Sequence, residues 1–296
     1  MADKAHIWTD DKLEKMERHL SAVFSKAEKE LQEKSDAYFL KFAKQDEEKR
    51  KLYEKGEITK KEYQNWRKGK LMYGKRFKEM REQCAEQLLN INKTAISYIN
   101  GQLPEVYTRN YNQLEAAVSG IKDYSFTLID AETVKHLAST DKSLLPYKKL
   151  NPAKDKKWNM QKINSETLQG ILQGESMREI SKRILNVQEM NKNSAIRTAR
   201  TIVTGAENKG RFDSYARAEA DGIIMQKKWI SSDDGRTRHA HLSGSFGNLI
   251  VDVDKPFSNS IGLIMYPGDP GAAPANTYNC RCSMAAVVKG FKKVKK

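Results

Sequence analysis

The stretch Trp229–Gly244, reading W-I-S-S-D-D-G-R-T-R-H-A-H-L-S-G, sets Asp233, Asp234, Arg236, Arg238, His239 and His241 within a few residues of one another. Far downstream, Asn279-Cys280-Arg281-Cys282 adds two thiols. Three kinds of chemistry fit these residue types. His241, Arg236, Arg238 and Asp234 could serve a metal-dependent nuclease or a transferase, with the imidazole as base and the guanidinium groups on an anion. His239, His241, Cys280 and Cys282 offer four zinc-type ligands. Alternatively the cluster is structural, with Asp-Asp-Gly turning the chain because Gly235 can take positive φ and Asp can bond the backbone two residues on.

The spacing favours the structural reading. H-x-H and C-x-C are tighter than the usual pairs of a structural zinc site, and Arg238 and Arg281 would oppose a dication. A nuclease or covalent transferase lacks its supporting parts: there is no nucleophile elbow and no phosphate-cradling glycine loop. No carboxylate cluster exists beyond Asp233 and Asp234, and the turn accounts for those. The expectation is therefore that Trp229 anchors a core and Asp234-Gly235 makes the turn. Arg236, Arg238 and His241 then hydrogen-bond neighbouring loops, such as Pro267-Gly268-Asp269-Pro270. No catalytic residue, cofactor or metal is expected.

The elements that position these residues follow from periodicity. Leu13, Met16, Leu20, Val23, Ala27 and Leu31 form one helical stripe, and Thr59-Lys60-Lys61-Glu62 is a capping box opening a second. That second stripe runs from Tyr63 through Trp66, Tyr73, Phe77, Cys84 and Ile91 to Ala95, and Asn100-Gly101 is its expected end. Two long antiparallel helices are predicted over 1–101, with Cys84 as a small buried hydrophobe. A further helix from Pro104 to Val118, an extended piece over 124–129, a helix capped by Asp130 and a lysine-rich irregular stretch make up 102–157. Ser176-Met177-Arg178-Glu179 is a second capping box, and Ser194 is the expected cap of a helix over 195–220. On that helix Ile196, Ala199, Val203, Ala206 and Gly210 form a small-residue stripe suited to close packing, with Arg197, Arg200 and Arg211 off it. The period then changes to two over 223–230, 248–253 and 281–288, with a further apolar run over 261–266, which predicts a small, mostly antiparallel sheet. The fold class is α+β, with a helical arm (1–101), a helical connection and basic linker (102–157), an α+β domain (158–288) and a basic tail (289–296).

The composition sets the partners. The chain has 296 residues, 31% of them charged, with a net charge of +15, and its mean hydropathy is -0.74. That balance favours a polyanionic partner, for which Lys289, Lys292, Lys293, Lys295 and Lys296 are candidate contacts. Cys84, Cys280 and Cys282 do not suggest a disulfide framework, which points to a reducing compartment. Neither a leader segment nor an apolar run of spanning length is visible, so a soluble intracellular product without a membrane partner is expected.

The order of motifs resembles a known family. Arg197-Thr198-Ala199-Arg200, Lys228-Trp229, Asp234-Gly235-Arg236-Thr237-Arg238-His239-Ala240-His241-Leu242-Ser243-Gly244, Pro267-Gly268-Asp269-Pro270 and Asn279-Cys280-Arg281-Cys282 follow one another as in the phage Mu F-like head morphogenesis proteins, the minor head proteins of tailed bacteriophages. The resemblance covers about Leu168 to Val288. It makes Arg197, Arg200, Trp229, Asp234, Gly235, Arg236, Arg238, His241, Gly244, Asn279, Cys280 and Cys282 the structural signature, with His239 incidental. Some members look like zinc binders, with Cys at the positions of Arg238 and His241 and His ahead of the final Cys cluster. Here those positions hold Arg238, His241 and Thr277, which argues against zinc and leaves His241, Cys280 and Cys282 as a residual ligand set. The resemblance implies a non-enzymatic virion component made in the host cytoplasm and placed at the portal vertex or in the capsid interior. It would act in head morphogenesis, DNA packaging or ejection. Its implied partners are the portal protein, double-stranded DNA bound non-specifically, and scaffolding or major capsid protein.

Overall fold

The computed structural model describes residues 3–121, 124–242 and 249–291. Gly244 and the tail lysines Lys292, Lys293, Lys295 and Lys296 lie outside them. The described elements are α1 (Lys4–Phe39), α2 (Ala43–Glu54), α3 (Lys60–Leu71), α4 (Lys75–Asn112), α5 (Leu114–Val118), α6 (Ala131–Thr140), α7 (Pro152–Gln173) and α8 (Met177–Ala220). They are followed by β1 (Ile223–Ile230), β2 (Ile250–Asp252), β3 (Phe257–Asn259), β4 (Gly262–Ile264), α9 (Pro274–Thr277) and β5 (Ser283–Phe291). The class is α+β. β1 lies between β2 and β5, β3 pairs with β4, and every one of these pairings is antiparallel.

The chain forms two compact units, each assembled from separated stretches. One is Arg18–Ser97 with Lys149–Ala195, and the other is Met1–Glu17 with Tyr98–Lys148 and Ile196–Lys296.

The first unit is all helix. Gln87 of α4 reaches the Ala27 carbonyl of α1, and further along α1 Tyr38 meets Phe77, which lies earlier on α4, so α1 and α4 run antiparallel here. Leu20, Phe24, Leu31 and Phe39 bury one face of α1, and Cys84 and Leu88 of α4 and Ile163 of α7 are fully buried as well. Burial pushes the Cys84 thiol up to about 11, consistent with a packed hydrophobe and not a nucleophile. Both capping boxes form: Thr59 N–H donates to Glu62 at 2.7 Å and Ser176 N–H to Glu179 at 2.7 Å. Several buried polar residues of this unit pair with one another, as burial favours. Arg67 pairs with Asp46 at 2.9 Å, and Asn191 joins Asn92 at 2.6 Å to Asn159 at 2.9 Å.

Several helix boundaries differ from the periodicity reading. The second helix breaks after Leu71, because Gly74 takes φ +102, a conformation outside the helical region. α4 then continues through Gly101 and Pro104 to Asn112. Proline forfeits one backbone hydrogen bond, and burying Leu103, Val106 and Tyr107 around it outweighs that loss. Ser194 starts no new helix: α8 is one helix of 44 residues. Its buried stripe of Val187, Asn191, Ala195 and Ala199 crosses that position without a break in spacing. Residues 124–129 form no strand. Ile129 N–H is held instead by the Asn112 side chain at 3.0 Å. The lysine-rich stretch is shorter than expected, since Asn151 caps α7 through Lys154 N–H at 3.0 Å and Pro152 opens its first turn.

The second unit carries the sheets. Ile223, Met225 and Trp229 point inward from β1, and the first two join Tyr215, Val253, Tyr266 and Met284 in one cluster. Lys227 also points inward, which the period-two pattern disguised. It is fully buried, donates to the Met265 carbonyl at 2.8 Å and lies against the rings of Phe212 and Phe257. Burial pushes its ammonium down to about 8.

The small-residue stripe of α8 does bring backbones together. A Cβ built on Gly210 would lie 2.4 Å from the Tyr107 carbonyl oxygen of α4. Gly210→Ala is therefore expected to cost about 1–3 kcal/mol, since backbone and not a flexible side chain must move. A lowered urea midpoint with unchanged slope checks it.

Candidate functional site

The signature residues that the structure describes fall in the sheet-bearing unit, and α8 positions the Asn279–Cys282 segment through a polar ladder. Thr201 Oγ1 accepts from Asn279 N–H at 2.9 Å. Thr204 Oγ1 donates to the Cys280 carbonyl at 2.8 Å, Asn208 to the Cys282 carbonyl at 3.2 Å and Arg211 to the Met284 carbonyl at 2.8 Å. Steps of three and four along a helix advance about 5 Å and two residues of strand about 6.6 Å, so one helix face can serve every second carbonyl. The ladder fixes the register in which Cys280 and Cys282 enter the core.

Arg211, expected off the buried stripe, is 2% exposed. Its guanidinium also bonds Asn110 at 3.0 Å, Glu207 at 3.3 Å and Asp3. Glu207 in turn accepts from His6 at 2.8 Å. Burial disfavours the imidazolium, yet Glu207 prevails and raises His6 to about 9. With an unfolded value near 6.5, this contribution is complete below pH 6.5 and is lost as pH rises through about 9. The difference is worth at most about 3 kcal/mol. Wild type should lose that much more stability than His6→Gln between about pH 6 and about pH 9.5, measured by denaturant unfolding.

The turn after β1 forms differently from its expected chemistry. Asp233, not Gly235, takes the left-handed conformation, at φ 44. Asp234 closes the loop by accepting from Arg236 N–H at 3.0 Å and Thr237 Oγ1 at 3.1 Å, and it ion-pairs with Arg281. These contacts, with Arg281 foremost among the charges, hold the Asp234 carboxyl below the usual range against the opposing effect of burial. Asn279, at φ 57, supplies a second left-handed residue just before the thiols.

Beyond the turn, a 3₁₀ turn over His239–His241 carries His241 inward and leaves His239 exposed. His241 lies edge-on to Trp229 with centroids 5.1 Å apart, and Trp229 is packed by Phe257. His241 Nε2 faces Asn276 Oδ1 at 2.7 Å, an oxygen that also accepts from Asn259 at 2.9 Å. An oxygen that accepts there makes Nε2 the donor and directs the Nδ1 lone pair at the thiols. Cys280 Sγ is 3.5 Å and Cys282 Sγ 3.9 Å from Nδ1. The three ligand atoms lie within 4.8 Å of one another, and all three residues are buried. The thiols share a hydrogen bond that pushes Cys282 down, helped by His241, and pushes Cys280 up together with burial.

This constellation has the donor set of a soft divalent-cation site. Two sulfurs and an imidazole converge, and an amide orients the imidazole from behind as metal-ligating histidines require. The position that would complete a tetrahedron has no fourth Cys or His among the described residues. Thr277 donates to the Asp269 carbonyl at 2.9 Å, and Arg238 donates to the Tyr278 carbonyl.

The residues weighed for catalysis are dispersed. Arg236 is exposed, Arg238 is bound to the segment after α9, Asp234 is engaged by Arg281, and His241 is 1% exposed. Arg197 is exposed, and Arg200 grips Glu17 at 2.6 Å. Lys289 lies exposed on β5. The Pro-Gly-Asp-Pro segment docks on α8, where Gly268 at φ +80 leaves room for the backbone of Gly205. Sequence reasoning missed Asn276, Thr204 and Asn208. The spacing of Thr201, Thr204, Asn208 and Arg211 is the signal that could have found the last two.

Residues 161–285 match the family model described as Phage Mu protein F like protein. This region is Phage Mu F-like. The Mu F-like region contains the ladder, the turn and all three convergent ligands. Over nearly its whole length the chain is also related to a phage minor head protein. It is 24% identical over 295 residues to Minor head protein GP7 of Bacillus phage SPP1, covering 96% of this chain and 85% of that one. It is 31% identical over 131 residues to NAD(+)--arginine ADP-ribosyltransferase EFV of Enterococcus faecalis, covering 44% of this chain and 26% of that protein. It is 25% identical over 169 residues to YqbB of Bacillus subtilis, covering 55% and 51%. The chain thus spans about a quarter of the enterococcal protein and half of YqbB. No solved structure matches it.

Proposed function

We propose that the protein is a non-enzymatic minor head protein of a tailed phage. In this reading it joins the portal vertex during head morphogenesis and contacts the genome without sequence preference during packaging or ejection. The observation that carries the reading is the similarity to the SPP1 minor head protein across 96% of the chain. The +15 charge supports the DNA part, since phosphate neutralisation dominates non-specific affinity. The burial of Trp229, His241, Cys280 and Cys282 and the pairing of Asp234 with Arg281 support a scaffold in place of a reaction centre. Scaffolding or major capsid protein are further partners, and the location is the virion after assembly in the host cytoplasm. No helix among the described residues is long and apolar enough to cross a membrane. Co-expression with the portal protein tests the reading: the two should co-purify, and clean separation would count against it.

The convergence of His241, Cys280 and Cys282 favours a second, compatible reading, in which this region carries a structural zinc ion. Elemental analysis should then find one zinc per chain, lost in Cys280→Ser. Full thermal stability in the presence of a chelator, with no zinc in the wild type, would refute it.

A further inference from the structure

We propose that the exposed face of α7 carrying Lys154, Lys157, Trp158 and Lys162 is the surface that holds the DNA backbone. The inference rests on the DNA-contacting part of the function proposed above and gives it a location. The face lies wholly within the helical unit.

Helical spacing puts Lys154, Trp158, Gln161 and Ser165 along one line, with Lys157 and Lys162 flanking it on either side. Lys154, Lys157, Trp158, Gln161 and Ser165 are exposed, and Lys162 is half-exposed with its Nζ 5.6 Å from the Trp158 ring. None of these lysines is ion-paired among the described residues, whereas some lysines elsewhere in this unit are. Lys34 pairs with Glu30 at 2.7 Å, Lys51 with Glu47 at 3.1 Å and Lys192 with Glu189 at 2.5 Å.

The contrast holds within α7 itself. Lys156, on the opposite side, is matched by Glu86 at 2.7 Å. The acids of α7 are also turned into the protein: Asp155 accepts from Asn92 at 3.0 Å, and Glu166 is held by Arg183 at 3.2 Å and Asn186 at 3.0 Å. The face thus carries three uncompensated positive charges around an indole and no carboxylate. An anion can approach it without displacing an internal partner.

Lys154 and Lys162 are separated by about 12 Å along the helix axis, a span of three to four base-pair steps. A phosphate backbone laid along α7 can meet the lysines in turn. Trp158, 36% exposed, presents an apolar ring and an N–H donor at the centre. That combination fits a sugar–phosphate strand, with an aromatic for a sugar or an unstacked base, better than it fits a small anion.

The test is the salt dependence of binding to a short labelled duplex, read by fluorescence anisotropy. The variant K154Q/K157Q/K162Q should lower the slope of log K against log salt by about 2.7 and weaken binding at least about tenfold at moderate salt. Trp158→Ala should weaken single-stranded DNA binding by about fivefold or more, and duplex binding less. K60Q/K61Q/K70Q, on α3, removes the same charge and should leave the slope nearly unchanged.

An equal drop in that α3 control would show that only net charge matters and would overturn the proposal. So would assignment of the whole slope to the tail, read from K292Q/K293Q/K295Q/K296Q. Wild type that binds DNA with an α7 variant that binds equally well refutes the location alone. Wild type that fails to bind at low salt refutes both the location and the DNA reading. Should the triple variant lose helical circular dichroism, the single exposed substitutions Lys154→Gln and Lys157→Gln carry the test, each lowering the slope by about 0.9.

Discussion

Arg211→Ala is expected to destabilise the sheet-bearing unit by about 3–5 kcal/mol, the range for removing one partner of a buried ion pair. Arg211 and Glu207 are each 2% exposed. Without the guanidinium, Glu207 keeps only His6 among the described residues, Asp3 loses its cation, and the Met284 carbonyl and the Asn110 amide oxygen lose a donor. Denaturant unfolding of Arg211→Ala beside Arg197→Ala makes the comparison on one helix. Arg197 is exposed, and its substitution should stay within about 0.5 kcal/mol of wild type. Equal small losses in both variants would mean that the cluster contributes little to stability. Arg211→Met should lose less than Arg211→Ala, because it refills the volume, though Asp3 still lacks its cation and Glu207 is left with His6.

Trp229→Ala should cost a further 3–5 kcal/mol or thereabouts and should loosen the His241–Cys280–Cys282 constellation as well. Trp229 is fully buried and sits between His241 and Phe257, with ring centroids at 5.1 and 5.3 Å. Removing the indole leaves a large cavity against the imidazole, so the orientation that aims Nδ1 at the thiols loses a packed neighbour. A bulky thiol reagent should label Cys280 and Cys282 faster in Trp229→Ala than in wild type, where both are buried. Trp229→Phe fills most of the space and should label at an intermediate rate. Unchanged labelling would show that the hydrogen bonds alone hold the ligands.

Much of this architecture is legible in the chain because it follows from local rules. Both capping boxes, the Asp130 cap and the period-two strands are written in neighbouring residues, and each of them forms. The helix boundaries near Gly74, Pro104 and Ser194 are less legible, since local propensity there competes with burial on a surface that the sequence does not name. At Pro104 packing outweighs a lost hydrogen bond, and at Gly74 a single positive φ interrupts an otherwise continuous stripe.

The signature shows the same division. Its order along the chain, from Arg197 through Trp229 and His241 to Cys282, identified the family without coordinates, and residues 161–285 match that family. What each residue does was beyond the sequence. Arg236 and Arg238 sit two apart, yet one is exposed while the other bonds the Tyr278 carbonyl. Asp233 and Asp234 are adjacent, yet one bends the backbone and the other grips Arg281. H-x-H and C-x-C spacing argued against a shared ligand set, but spacing measures distance along the chain. Folding brings His241 to Cys280 and Cys282 through the α8 ladder and the Asn276 amide, which lie far away in sequence. The sequence by itself determined the class of fold, the Mu F-like character of residues 161–285 and the sign of the charge, because these depend on composition, period and order. Only the tertiary structure decided which polar groups share a buried space, because that depends on contacts between residues dozens of positions apart.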